Sequence, residues 1–343
     1  MVWEVWGDSR LFSQSRGVLG GQVCGGRKLA RVHGGQIYGG KKHGGVHDEQ
    51  VCGTKKLGRV RLRQVLFCLF VFSTAFAVSL LPVVGGESWA AFQGIAVDSK
   101  TAAMGDCWSS SDYGFHFLAP VPPGSVNLSA SICYSAPYGL PELEQKTVLL
   151  NLPWRTKMTT LGILERGGGL YKERILSASL SHQAFPSTRI VLSLGMFSMS
   201  VAGLGQTKFL VLGAGLRSRP VRSLEACIGL GNLTSSSASD PYRGTVPSTF
   251  LFGVSLKPRE NVTAAGEIRK TPGTESSVHA GVEFELQKGI RMRCGLQTVP
   301  VELAMGFAID LGRLSIESAS SFHSVLGRTD IITLTFRGSE GAR

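Results

Sequence analysis

The chain has 343 residues, 43% hydrophobic and 17% charged, and strand-like patterning runs without a break from about residue 126 onward, so one large β domain is expected rather than two smaller ones. Its formal net charge of +12 is uneven: residues 1–64 hold 12 Lys/Arg against 4 Asp/Glu, whereas 91–343 hold 24 against 19. In the second part the basic residues are scattered among turns and strand ends, without the interleaved aromatics of a nucleic-acid patch, and no nucleic-acid partner is expected.

Residues 1–54 carry a repeat of period 14, seen at Gln22-Val23-Cys24-Gly25-Gly26, Gln36-Ile37-Tyr38-Gly39-Gly40 and Gln50-Val51-Cys52-Gly53. The copies 22–32 and 50–60 share eight of eleven residues. This Gly, Lys and His mixture has no apolar period and cannot bury a core, so it is expected to be disordered, a repeat translated from a start placed too early. Cys24, His33, His43, His47 and Cys52 are metal-ligand types, but the repeat composition accounts for them and no metal is expected. Residues 55–90 read as a signal peptide: Lys55, Lys56, Arg59, Arg61 and Arg63 precede the uncharged run Val65 to Val84, and Ser88-Trp89-Ala90 puts small residues at the positions that direct cleavage after Ala90. The run is long enough to cross a bilayer as an uncleaved helix, but Pro82, Gly85 and Gly86 near its end favour cleavage.

Residues 91–125 lack strand alternation and are expected to form a short plug-like segment. From there the expected strands are 126–134, 146–154, 157–165, 171–181, 188–200, 207–217, 221–230, 247–257, 260–269, 277–287, 289–297, 301–310, 313–321 and 328–337, with a short tail at 338–343. In Val301 to Asp310 every odd position is large and apolar, while the even ones are Glu, Ala, Gly, Ala and Asp. Successive side chains of a strand point to opposite faces, so one face suits lipid and the other water. Most segments run 9–11 residues, the length a tilted strand needs to cross hydrocarbon, and their number is even. Pro258-Arg259, Thr271-Pro272-Gly273, Lys288-Gly289, Leu311-Gly312-Arg313 and Asp240-Pro241-Tyr242-Arg243-Gly244 supply turn chemistry. The fold expected is all-β, a transmembrane antiparallel up-and-down β-barrel of about 14 strands. A secreted soluble β-sandwich also alternates, but its outer face is rich in long polar side chains, whereas the weaker face here is Gly, Ala, Ser and Thr with occasional acids.

The polar face is expected to line the lumen, with His279, Glu283, Glu285, Glu302, Asp310 and Glu317 as its titratable residues. Tyr134, Trp154, Tyr171, Phe250, Phe322 and Phe336 fall near strand ends, as interfacial girdles do. Cys107, Cys133, Cys227 and Cys294 lack C-x-x-C spacing and read as packing residues. No catalytic residue is identified, and neither an enzyme nor a cofactor is expected: G-x-S-x-G, H-E-x-x-H and Walker patterns are missing, and Ser181 and His182 are adjacent on one strand and point to opposite faces. A barrel-embedded hydrolase is thus the weakest alternative. The run Phe209 to Gly215 imitates a dinucleotide-binding turn, but Ser218 replaces the third glycine and no helix follows, so it reads as a strand whose glycines admit a crowded neighbour.

From Ala102 onward the chain resembles the bacterial outer-membrane barrels related to the long-chain fatty-acid transporter FadL, and more closely the PorV/PorQ-like group. The resemblance rests on Ala102-Ala103-Met104-Gly105, on Ala136-Pro137-Tyr138-Gly139-Leu140-Pro141-Glu142-Leu143, and on the closing run Phe307 to Phe336 with Ser320-Ser321-Phe322-His323. It implies the outer membrane of a diderm bacterium, contact with its lipid, and passage of a hydrophobic or small solute. Its PorV-like side implies instead a secretion or assembly scaffold with an envelope protein partner. Members carry an Asn-Pro-Ala triplet in the plug, where this chain has Phe117-Leu118-Ala119-Pro120.

Overall fold

The computed structural model describes residues 92, 94–112, 116–123, 127–234 and 246–338. The repeat, the signal segment with Ala90, the turn Asp240 to Gly244 and residues 339–343 lie outside the described residues.

A short helix α1 (Ser99–Ala103) precedes β1 (Ser129–Ala136), β2 (Gln145–Trp154), β3 (Lys157–Gly167), β4 (Tyr171–Phe185), β5 (Thr188–Val201), β6 (Gly205–Val221) and β7 (Leu224–Gly231). There follow β8 (Thr249–Arg259), β9 (Val262–Lys270), β10 (Ser277–Gln287), β11 (Ile290–Thr298), β12 (Val301–Leu311), β13 (Leu314–His323) and β14 (Gly327–Arg337). Each strand pairs antiparallel with its sequence neighbours, and β1 pairs with β14 from Ser129↔Arg337 to Ala136↔Asp330, closing a 14-stranded barrel without an edge. The wall is not a sandwich: one sheet closes on itself.

Side-chain size decides which face points out. On β12, Val301, Leu303, Met305, Phe307, Ile309 and Leu311 are on the outside, while Ala304 and Ala308 are buried inside. On β2 the outward set is Val148, Leu152 and Trp154, and the buried set Gln145, Thr147, Leu149 and Asn151. Moving one such apolar side chain from water into hydrocarbon is worth about 1.5–3 kcal/mol, so a wall of this composition is stable in a bilayer and a liability in water. Above the band on one side, the outward row Lys146, Glu165, Arg174 and Lys208 is polar. Tyr134, Trp154, Phe322 and Phe336 project outward near strand ends, but Tyr171 turns its hydroxyl to Glu173 at 2.5 Å.

The two barrel ends differ. At one, two-residue turns join β2–β3, β4–β5, β6–β7, β8–β9, β10–β11 and β12–β13, and β1 begins and β14 ends there. At the other, most connections are longer, up to that between β7 and β8, although Val299-Pro300 joins β11 to β12 in two residues. The expected turn at Pro258-Arg259 is displaced. Both residues belong to β8, the register shifts between Leu256 and Arg259, and the turn is Glu260-Asn261. Proline has no N–H to give a ladder, so it is tolerated at such a bulge. β6 also runs to Val221, the residue at which the sequence pattern places the start of the next strand. Cys107, Cys133 and Cys227 are free and buried, whereas Cys294 is free and exposed on the outer wall rather than packed in a core.

Candidate functional site: the barrel interior

Inside the barrel lie the described residues between Phe92 and Pro123, and the wall that surrounds them has two chemically distinct halves. On the apolar half, Leu149, Leu164, Ile175, Phe197, Phe209, Val211 and Leu251 point inward and pack against Phe92, Ile95, Val97, Leu118 and Val121. Phe92 sits edge-on to Phe197 and Phe209, with ring centroids 5.1 and 6.3 Å apart. The internal backbone lies close against the wall where the wall has no Cβ. A side chain on Gly213 would stand 2.7 Å from Cδ of Pro120, and Gly215 and Gly231 face the carbonyls of Pro120 and Leu118. The glycines of the dinucleotide-like run thus serve close approach of Pro120.

On the polar half the same segment is held by hydrogen bonds. Asp98 caps α1, accepting from the Thr101 amide at 2.7 Å and from Ser111 Oγ at 3.2 Å. The Ser99 amide donates to Thr333 Oγ1 at 2.9 Å, and the Ser109 amide to Glu267 Oε2 at 2.7 Å. Burial pushes the Asp98 carboxyl up from 3.8 to about 6, outweighing the Thr101 hydrogen bond and the Lys100 charge that favour its ionised form. Trp108 is sandwiched: the Arg269 guanidinium lies 3.4 Å from its ring centre, and His116 stacks on it at 3.2 Å. Arg269 is also paired with Asp106 at 2.9 Å and Glu267 at 2.8 Å. Burial, and then the Arg269 charge, push the His116 imidazole well below its ordinary 6.5.

The predicted luminal residues all project from the inner face. His279 is buried and hydrogen-bonded to the Gly105 carbonyl through Nδ1 and to Ser277 Oγ through Nε2, both at 2.8 Å. Glu283 and Glu317 flank Arg293, each with an oxygen 2.6 Å from the guanidinium, whose side chain is 0% exposed. Asp310 meets Arg291 at 2.9 Å and Arg337 at 3.1 Å. Glu285 lies beside the β10–β11 turn, accepting from the Gly289 amide at 3.4 Å. Glu302 lines a cavity. The reading from sequence missed Arg291 and Arg293, the cations at the centre of this network, although their period-two spacing on β11 gives them the inward parity. It also missed Asp98, Glu267 and Arg269, whose partners lie more than 150 residues away or in an irregular segment without a pattern of its own.

Two cavities open toward the end with the longer connections. One of about 380 Å³ is lined by Ala102, Tyr138, Arg166, Glu302 and His323, the other of about 250 Å³ by Trp108, Leu118, Arg269 and His279. Gly94, Asp106, Gln297 and Pro300 border both. Among the described residues no cluster of His, Cys, Asp or Glu has a metal-holding arrangement.

The class defined by this geometry is a closed antiparallel barrel with an outward apolar wall and described residues between Phe92 and Pro123 packed inside. No family model matches the chain, and no curated protein matches it. Among solved structures it is similar to the CymD monoaromatic hydrocarbon channel, at 11% identity and a TM-score of 0.48 over 72% of this chain and 98% of that one. It is likewise similar to the Pseudomonas putida toluene transporter TodX, at 11% identity and a TM-score of 0.47 over 73% and 98%. The KdgM porin is a third, at 7% identity and 0.38 over 61% and 98%. The fold of this chain stands on its own strand register.

Proposed function

We propose that the chain is an outer-membrane barrel that passes small, largely apolar solutes, with residues 91–125 acting as its plug. The observation that carries this reading is the divided interior with its two cavities. A dry half anchors the segment through Phe92, Leu118 and the glycine contacts, while the polar half holds it through bonds that water can replace. A solute entering at the long-connection end meets cavities of 380 and 250 Å³, sizes suited to small molecules, with apolar Ile95, Ala102, Leu118 and Val299 among their lining residues. Glu283, Glu285, Glu302, Asp310, Glu317 and His279 line the route that opens when α1 moves off the polar wall. In proteoliposomes, uptake of a small aromatic hydrocarbon should exceed that of protein-free vesicles, and Glu302→Ala should change the rate. Equal uptake with and without the protein would end this reading.

A second reading, a non-transport scaffold for secretion or assembly, draws on exposed apolar tips at the long-connection end. Leu170, Leu204 and Val325 are 80%, 63% and 83% exposed. A protein partner retained through mild detergent and lost from a Leu170→Ser, Leu204→Ser, Val325→Ser variant supports it; purification of the barrel alone under every gentle condition removes it.

A further inference from the structure

The mouth at the end with two-residue turns holds a cluster whose charges do not balance. Arg189 on β5 and Arg217 on β6 are direct cross-strand partners, and both project inward. Arg219 lies two residues further along β6, and the three arginines line a void of about 110 Å³ with Glu225 as the one carboxylate among its lining residues. Arg217 pairs with Glu225 at 3.5 Å and donates to the Ser109 carbonyl at 2.9 Å; Arg219 pairs with the same carboxylate. Arg189 has instead the Pro123 carbonyl at 3.4 Å. Like charges placed directly opposite on neighbouring strands repel. The other arginines of the interior show how this chain settles such charge when it does so internally: Arg291 and Arg293 are surrounded by Glu283, Glu317 and Asp310. Three guanidiniums around one carboxylate leave an excess of positive charge on an empty volume. Guanidinium forks match carboxylate and phosphate oxygens in shape as well as charge.

We propose that this cluster binds a small oxyanion, a carboxylate or phosphate, in the void between Arg189, Arg217 and Arg219. The anion comes either from the head of an amphipathic molecule or from a free inorganic ion. The site does not depend on whether the barrel conducts, because binding is read on the purified protein. Isothermal titration of the full chain in neutral detergent would use inorganic phosphate, hexanoate, and hexanol as the uncharged counterpart. At least one anion should bind with salt-sensitive affinity. Arg189→Gln and Arg219→Gln should each weaken it about tenfold, the loss of one charge-assisted hydrogen bond. Glu225→Gln should tighten it by removing the internal competitor. Hexanoate alone identifies an amphiphile head as the source, phosphate alone the inorganic ion, and both a general oxyanion site. Heat-modifiable gel migration checks folding, and the more exposed Arg219 supplies the test should Arg189→Gln not fold. The proposal is overturned if neither anion binds the parent, if both arginine variants bind as the parent does, or if hexanol binds as well as hexanoate.

Discussion

Replacing Asp98 by Asn should expose a pH dependence that Asp98 opposes in the parent. Asp98 is 1% exposed, and burial holds its carboxyl at about 6 against an ordinary 3.8. A carboxyl raised on folding contributes stability that is full below its unfolded pKa and is lost as pH rises through the folded one. His116 acts in the opposite sense. Its Nδ1 accepts from the Leu118 amide at 3.2 Å and its Nε2 lies 3.3 Å from the Ile95 carbonyl, so the neutral ring is the one that fits. With its pKa held well below 6.5, its stabilisation is present above that value and lost as pH falls, because the released segment takes up the proton. Between roughly pH 7.5 and pH 5, Asp98 should make opening of the segment about tenfold rarer while His116 makes it more frequent, so the two oppose each other in the parent. Asn caps a helix as well as Asp, so Asp98→Asn keeps the Thr101 bond and removes only the titration. Hydrogen exchange of the amides from Ser99 to Asp112, corrected for the intrinsic pH dependence of exchange, should then rise as pH falls over the same interval, and by about tenfold more than in the parent. A variant profile that superimposes on the parent's would refute the reasoning.

The complementary change, His116→Phe, keeps a stacked ring on Trp108 and should reverse the sign, with exchange falling about tenfold from pH 7.5 to pH 5. Arg293→Ala leaves Glu317 buried and Glu283 part-buried with the more distant Arg291, at 3.7 and 4.0 Å, as their ion-pair partner; it should cost about 3 kcal/mol in urea unfolding followed by gel migration, and adding Glu283→Gln and Glu317→Gln should recover most of that. Gly213→Val puts a side chain where Pro120 stands and should loosen the internal segment while β5 and β6 stay paired. Larger or more frequent conductance steps in planar bilayers, with unchanged heat-modifiable migration, are the expected outcome.

The wall was legible because its outward residues are large and its inward ones small or polar. Ser277 to Gln287 was read with the same bounds the structure gives, for every second residue from Val278 to Leu286 is apolar and faces out. β6 was read short at both ends, since Gly213 and Gly215 blunt the inward pattern and Pro220 looks like a terminator. The interior was less legible for a physical reason. Alternation places Glu283 and Glu317 on the inner face, but their meeting at Arg293 depends on register across β10 to β13. The internal segment has no period at all, and its position is written in contacts such as Ser99 with Thr333 and Pro120 with Gly213 that no local pattern announces.

Fold and proposed function both require a wall that turns its apolar side chains to lipid, and a nitroxide scan along β12 in reconstituted membranes tests this most directly. Labels at Leu303, Met305 and Phe307 should be reached by oxygen and shielded from a water-soluble nickel chelate, whereas labels at the flanking inward positions Glu302 and Asp310 should be poorly reached by membrane oxygen. Free access of the chelate to Leu303, Met305 and Phe307 would contradict it.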